Sequence, residues 1–394
     1  MKTWDAIPLE KICDKVQYGY TASASEAEIG PRFLRITDIA QERIDWASVP
    51  YCKINTKDKE KYLLKEGDVV IARTGATVGY AKCIKRGIPE SVFASYLVRF
   101  CPSNNVSSRY VGFIIESDTY KAFIKSQMGG AAQPNANAKV LGSFKISLPP
   151  ISIQCKIASI LSTYDDLIEN NNCRIKILDD MTQTIYNEWF VRFRFPGHSK
   201  VNMVKSELGE IPEGWEVARF GDVADIEWGD TNVTKKSYVN EGYDAYSASG
   251  LDGKRTKFDF DRDGIVLSAI GANCGRTWYA KGKWSCIKNT IRFWAESSLV
   301  TTPYLYFVTQ RTGFWIKRGA AQPFVSLGDA RSSKVIIPDS KTLEIFSKLS
   351  SLCLDQINIL QKKNISLSRT RDLLLPKLIS GELDVENMNI KVGN

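Results

Sequence analysis

Two acid-x-lysine triplets, Asp252-Gly253-Lys254 and Asp339-Ser340-Lys341, carry the residue types that a metal-dependent nuclease uses, a carboxylate to hold a cation with a lysine close by. Triplets of this kind arise by chance in a chain that is 25% charged, so their spacing assigns no active site. Two glycine loops, GATVG (Gly75 to Gly79) and GANCG (Gly271 to Gly275), have the small residues that let backbone N–H groups approach a phosphate. No GxxxxGK[ST] loop, no early glycine-rich strand-to-helix turn and no Asn/Asp-Pro-Pro-aromatic tetrapeptide accompanies them. Nucleotide hydrolysis and methyl transfer therefore have no recognisable residues here. A single histidine, His198, excludes most histidine-based metal or triad chemistry. No catalytic residue and no metal ligand is assigned from the sequence.

The elements that must position these loops follow from composition and from repetition. At 394 residues, 43% of them hydrophobic, the chain suits two globular domains rather than one core. Its formal charge of +9 favours an anionic partner, with nucleic acid as the natural candidate. Nine cysteines without a CxxC pair read as reduced, mostly buried thiols. The opening residues hold no signal-peptide-like apolar run and no segment approaches a membrane span, so the expectation is a cytoplasmic protein with no membrane contact.

The pentapeptide GAAQP occurs twice, as Gly130 to Pro134 and Gly319 to Pro323, 189 residues apart (319 − 130). The same shift relates Pro149 to Pro338 and Asp166 to Asp355. Upstream, GDVVIARTGATVG resembles DGIVLSAIGANCG, each an apolar strand-like run feeding a glycine loop, and LVRF (Leu97 to Phe100) matches TIRF (Thr290 to Phe293). Trp4 and Trp215 stand near the start of each half. The chain is read as two copies of one unit of roughly 190 residues, with loop insertions between the shared motifs.

Each copy closes in a helical stretch. Apolar residues recur at three and four spacing through Ile153, Ile157, Ile160, Tyr164, Leu167, Ile168, Ile175, Leu178, Met181, Ile185 and Trp189. The second series runs from Leu343 through Phe346, Leu349, Cys353, Ile357, Leu360, Leu367, Leu374 and Leu378. Rods of roughly 50 Å with one apolar stripe need a partner, and an antiparallel pair supplies it. Asn171 and Asn364 interrupt the stripes, either to fix register or to face solvent. The expected fold class is α+β, two pseudo-repeated globular domains joined by two long antiparallel coiled-coil helices. Its boundaries are a first domain 1–150, helix 151–192, linker 193–214, a second domain 215–338, helix 339–381 and a tail 382–394.

Double-stranded DNA is the partner that the loops and charges suit. Around the first glycine loop stand Arg73, Thr74, Gly75, Thr77, Tyr80 and Lys82, with Tyr18, Tyr20, Arg32 and Arg35 near in sequence and Asn135 after GAAQP. The second copy offers Ser268, Gly271, Asn273, Arg276 and Trp278, and a preceding polar segment with Lys235, Lys236, Lys254, Arg255 and Lys257. Lysine and arginine neutralise phosphates, whereas arginine, asparagine and glutamine pair with base edges. Gln133 and Gln322, each before a proline, either read a base or tie down a turn. Polar segments differ between copies while strands and glycines agree, as expected of two readers of different base sequences.

The residues at this point resemble a family. ELGEIPEGWEVARFGDV (Glu207 to Val223), LLLPKLISGELDV (Leu373 to Val385), IYNEWFVRFRFPGH (Ile185 to His198) and the paired loops together look like the specificity subunit of type I restriction-modification enzymes. One departure lies in PPISIQCKI, where Ile153 replaces the glutamate that usually precedes the glutamine. The resemblance implies two target recognition domains, each reading one half of a split DNA site, and helices that set the gap. It implies a non-catalytic chain that binds no cofactor itself. It would recruit two modification subunits, which bind S-adenosylmethionine and methylate adenine, and restriction (motor-nuclease) subunits that use ATP and Mg2+. Two other classes remain open at this stage: a helical scaffold without DNA specificity, and a self-contained nuclease built on Asp252/Lys254 or Asp339/Lys341.

Overall fold

A computed structural model describes residues 4–41, 43–128 and 135–390. The chain divides into two compact units, 1–169 with 364–394, and 170–363, so each long helix contributes to both.

The first unit is built on a four-stranded antiparallel sheet in the order Cys13–Tyr18, Leu97–Pro102, Val69–Ala72, Ala81–Cys83. The strand VVIA is buried on both faces, and the alternation of side chains across the pleat explains why. Val69 and Ile71 join a core with Tyr110, Ile114, Tyr120 and Ile157, on the helical side. Val70 and Ala72 join another with Leu34, Phe93 and Leu97, on the side of a second small sheet. That sheet runs Ala24–Ser25, Tyr51–Cys52, Arg32–Leu34, Ser91–Phe93.

The second unit repeats this plan. Its main sheet runs Ala224–Trp228, Thr290–Ala295, Gly264–Ser268, Thr277–Ala280. Ile265 and Leu267 face a core with Phe220, Phe293 and Phe346, while Val266 faces Trp284 and Trp294. A second sheet of Gly250–Arg255, Tyr243–Ser247, Lys283–Cys286 and Phe260–Asp261 covers that side. In each unit a closing strand pair, Ala6–Pro8 with Lys145–Ser147 and Glu216–Arg219 with Lys334–Ile337, leads directly into a long helix.

The long helices span Ile151–Tyr186 and Ser340–Ile379. Within the first unit, Ile153, Ile157 and Leu161 at the start of one share a core with Leu378 near the end of the other, and Asp165 pairs with Arg371 at 2.6 Å. Within the second unit, Tyr186 near the end of the first helix packs on Phe346 near the start of the second. The pairing is antiparallel in both units. Leu167, Met181 and Leu349 nevertheless point to solvent, because a 3.6-residue period carries the stripe off a single contact line over so many turns. At the first helix start, Ile153 is buried. The neighbouring Gln154 accepts from Ser107 N–H (2.9 Å) and donates to Pro149 O (2.7 Å), so a local anchor exists without the glutamate.

The connection 193–214 is ordered. Phe195 stacks on Trp215 at 5.0 Å, and Met203–Ser206 pairs with Gly209–Pro212 as a hairpin. Its aromatic residues, invisible to a periodicity test in so short a segment, hold it against the second core. The nine cysteines are free thiols, of which Cys173 alone is exposed.

One buried ion pair ties strands to the second sheet's approach in the first unit. Arg99 and Asp68 are 4% and 6% exposed. Arg99 bonds Asp68 (3.2 Å), Leu63 O (2.6 Å), Lys61 O (3.2 Å) and Gln17. The matched residue of the second unit, Arg292, pairs with Asp225 and lies 4.2 Å from the Trp294 ring centroid. Removing one partner leaves an uncompensated charge inside, so Arg99→Met is expected to cost about 3 kcal/mol, read as a lower urea midpoint. Asp68→Asn added to it should recover part of that loss.

Candidate nucleic-acid interface

In the second unit the glycine loop and GAAQP meet at one end of the main sheet, and in the first unit Asn135 and Ala136 reach the matching end. In the second unit Val325 N–H donates to Ala269 O (2.8 Å) and Gly271 N–H to Pro323 O (3.0 Å), so GANCG and GAAQP form one surface. In the first unit Ala136 N–H donates to Arg73 O (2.8 Å), the equivalent bond. Asn135 bridges Thr74, and its side-chain oxygen accepts from Arg73 at 3.4 Å. Gln133 and the rest of the first GAAQP lie outside the described residues.

The second GAAQP is an exposed turn between Arg318 and Phe324, whose N–H and C=O groups exchange two bonds of 2.8 Å. Gly319 has φ +80°, and a Cβ there would meet Gln322 O at 2.7 Å. Arg318 grips Asp329 through two bonds of 2.6 Å, and Ser326 O–H adds a third. Arg318 first, then Ser326, hold the Asp329 carboxyl down to about 2. A depressed carboxylate stabilises only while ionised, so this anchor is complete above the ordinary value of about 4 and is lost as pH falls toward 2.

Two aromatics flank the loops at matched strand ends. Tyr18 ends the first strand opposite Val98, and Trp228 ends its counterpart opposite Ile291. They are 42% and 38% exposed, large for side chains of this type. Arg73 lies 4.9 Å from the Tyr18 ring centroid, and the Tyr18 hydroxyl accepts from Ala138 N–H at 3.0 Å, so the ring is held in place. Tyr96, 57% exposed, accepts from Arg73 N–H through its carbonyl, and exposed Phe324 bridges Ile270. Trp228, Tyr96 and Phe324 were not legible as site residues from charge and loop spacing. The signal for Trp228 was present in the repeat: Tyr18-Gly19-Tyr20-Thr21 parallels Trp228-Gly229-Asp230-Thr231. Gly19 and Gly229 are glycines because a Cβ would fall 2.1 Å from Ala94 O and 2.4 Å from the Thr290 hydroxyl.

The other expected contacts divide by what already holds them. Arg73, Thr74, Gly75 and Thr77 gather at the first loop, and Gly271, Asn273, Arg276 and Gln322 at the second. Asn273 also donates to Ala248 O (3.2 Å), joining the loop to the second sheet. Tyr20, Arg32 and Arg35 lie at the other sheet of the first unit instead. Tyr20 packs on Tyr62, Arg32 bonds Val49 O (2.6 Å) over the Tyr51 ring, and Arg35 pairs with Asp38 (2.9 Å). Tyr80 is half-buried under Lys121, and Lys82 pairs with Glu116 at 3.1 Å. Ser268 is fully buried, because the strand GIVLS is covered on both faces.

In the polar segment of the second unit, Asp252 gathers Lys235, Ser247 and Tyr238. Burial raises its carboxyl, but the three donors outweigh that and leave it below the ordinary range. Lys254 pairs with Asp244 and Arg255 with Asp259. Asp252 and Lys254 of the first acid-x-lysine triplet therefore have separate partners. Asp339 instead caps the second long helix at Thr342 N–H (3.0 Å) and accepts from the Trp215 indole (3.2 Å). No group of three His, Cys, Asp or Glu suited to a metal ion occurs among the described residues. Lys236, Lys257 and Arg276 are exposed and have no side-chain partner among the described residues.

The two α+β units share one plan, in which the chain after the GAAQP position pairs with the glycine loop at one end of the main sheet. The model of the type I restriction modification DNA specificity domain matches residues 1–178 and 212–369, one match to each half. The chain belongs to this family, the specificity subunits of type I restriction-modification systems, whose business is DNA sequence recognition. It is 25% identical over 346 residues to the MjaIX specificity subunit of Methanocaldococcus jannaschii, covering 81% of this chain and 78% of that one. To the MjaVIII specificity subunit of the same organism it is 22% identical over 393 residues, with 88% and 85% covered. Among solved structures, the S subunit of a type I restriction-modification system from M. genitalium shares the fold, with TM-score 0.57, 15% identity and coverage of 95% and 96%. No helix among the described residues is long and apolar enough to cross a membrane.

The GAAQP turn supplies a test of the loop architecture. Gly319→Ala must accept a positive φ and a backbone clash, a strain on the order of 1–3 kcal/mol. The expected outcome is faster protease cleavage within 318–324 with little change in the melting of the long helices.

Proposed function

We propose that this chain is a non-catalytic subunit in which each unit reads one half of a bipartite double-stranded DNA site. The observation that carries this reading is the duplicated backbone bond between each glycine loop and the segment that follows the GAAQP position in sequence. The two copies share the bonds Ala136 N–H to Arg73 O and Val325 N–H to Ala269 O, yet surround them with different side chains. A shared scaffold with divergent contacts suits two different half-sites. The long helices then set the gap between them, and their exposed apolar residues support docking of two modification subunits. Those residues are Leu167, Ile177 and Met181 on the first helix and Leu352, Ile359, Ile365 and Leu373 on the second. S-adenosylmethionine belongs to those partners, and ATP and Mg2+ to restriction subunits where they join, all acting in the cytoplasm. Flipping of the target adenine is assigned to the partner's pocket.

Phosphate contact falls to Arg276, Lys236 and Lys257, which have no side-chain partner among the described residues, and base contact to Arg73, Asn135, Asn273 and Gln322. Arg276→Ala and Lys236→Ala are each expected to weaken DNA binding evenly across sequences. Each should flatten the log–log salt slope by about 1. Lys254→Ala should do less, because Asp244 already neutralises that charge.

The decisive experiment maps adenine methylation in cells carrying the modification subunit with and without this chain. A new split motif that appears only with the chain is expected. Absence of any new motif, with the modification subunit folded and active, would sink the reading in favour of a scaffold. Inserting one helical turn into a long helix should change the gap and leave both half-site sequences unaltered.

A further inference from the structure

Each main sheet reaches a long helix through a lysine at the same place in the repeat. Lys85 and Lys281 are 196 residues apart (281 − 85), the register that also relates the two glycine loops. In the second unit the Lys281 ammonium sits between Asp263, at 3.1 Å, and Asp355 on the second long helix. Asp263 is itself fixed by the Tyr279 hydroxyl (3.1 Å) and Gly282 N–H (3.2 Å). In the first unit Lys85 lies 3.9 Å from Asp165 on the first long helix. There Arg43 adds a bond to Asp165 O (2.7 Å) and a pair with Glu169 (2.8 Å). The sequence counterpart of Asp355 is Asp166, so the two contacts match in place and charge rather than atom for atom.

The position of the second contact gives it leverage. Leu343, Phe346 and Leu354 are the residues of that helix in the core of the unit, and Asp355 follows the last of them. From Ser340, where the helix leaves the closing strand, Asp355 is about 22 Å along the axis. Half-exposed ion pairs add little to stability. An ion pair at the far rim of a contact instead limits how far the body can swing about the helix start.

We infer that Lys281, bridging Asp263 and Asp355, is a positioning residue that fixes the angle between the second recognition unit and its helix. It thereby sets how strictly the gap between half-sites is read. This rests on the bipartite reading above.

The test uses the complex with its modification subunits and measures methylation of duplexes whose half-sites are separated by the native gap or by one base pair more or less. Lys281→Met and Asp355→Asn should each lower the preference for the native gap by up to about fivefold, the factor set by a half-exposed pair of up to ~1 kcal/mol. Half-site base preference should stay unchanged, and Lys281→Arg should keep most of the gap preference. Raising the salt concentration should carry wild type toward the variants. Arg276→Ala, which weakens binding without touching the clamp, serves as the control that leaves the gap ratio alone. An unchanged gap ratio in both clamp variants, with melting curves showing them folded, overturns the assignment while leaving the bipartite reading intact. A wild-type complex indifferent to the gap overturns both.

Discussion

In each unit a strand-like backbone bond ties the glycine loop to a segment far away in sequence. Ala136 N–H to Arg73 O and Val325 N–H to Ala269 O are its two instances. Each lies where the apolar strand of the main sheet gives way to its glycine loop, so the rigid centre of the fold dictates where the polar loop begins. Backbone pairing is indifferent to side chains. The residues around it can diverge while the geometry stays, and that is what a family of sequence readers needs.

Charge is arranged around this constraint in two populations. Arg99 and Arg292 are interior struts, held by carboxylates and aromatic faces. Lys235, Lys254 and Arg255 brace the second sheet of the second unit through Asp252, Asp244 and Asp259. A surplus of +9 therefore overstates the cations that face outward on any one surface. Arg276, Lys236 and Lys257 are exposed without a side-chain partner among the described residues, and Trp228 and Phe324 are exposed aromatics of the same unit.

The long helices integrate the units differently from the sheets. Their apolar residues serve the cores near each end, as Ile157 with Leu378 and Tyr186 with Phe346 do. Others, among them Leu352, Ile365 and Leu373, remain exposed along the rods. Such a helix is both a structural member and a surface, and the ion pairs of Lys281 and Lys85 mark where body and rod meet.

Much of this was legible in the sequence. The GAAQP repeat, the matched glycine loops and the two apolar series defined two α+β units and two long helices, because local period and glycine placement are properties of short segments. The resemblance carried by the linker and tail motifs pointed to the family, and the match to both halves agrees. The tertiary structure alone decided which of the polar residues already have partners within the protein. Ser268 went inside, Arg32 and Arg35 joined the other sheet, and Lys82 found Glu116, while Tyr18 and Trp228 came to stand beside the loops. A cation or hydroxyl is identical in sequence whether it meets water, a carboxylate or a phosphate, and only long-range strand pairing determines which of these lies within reach.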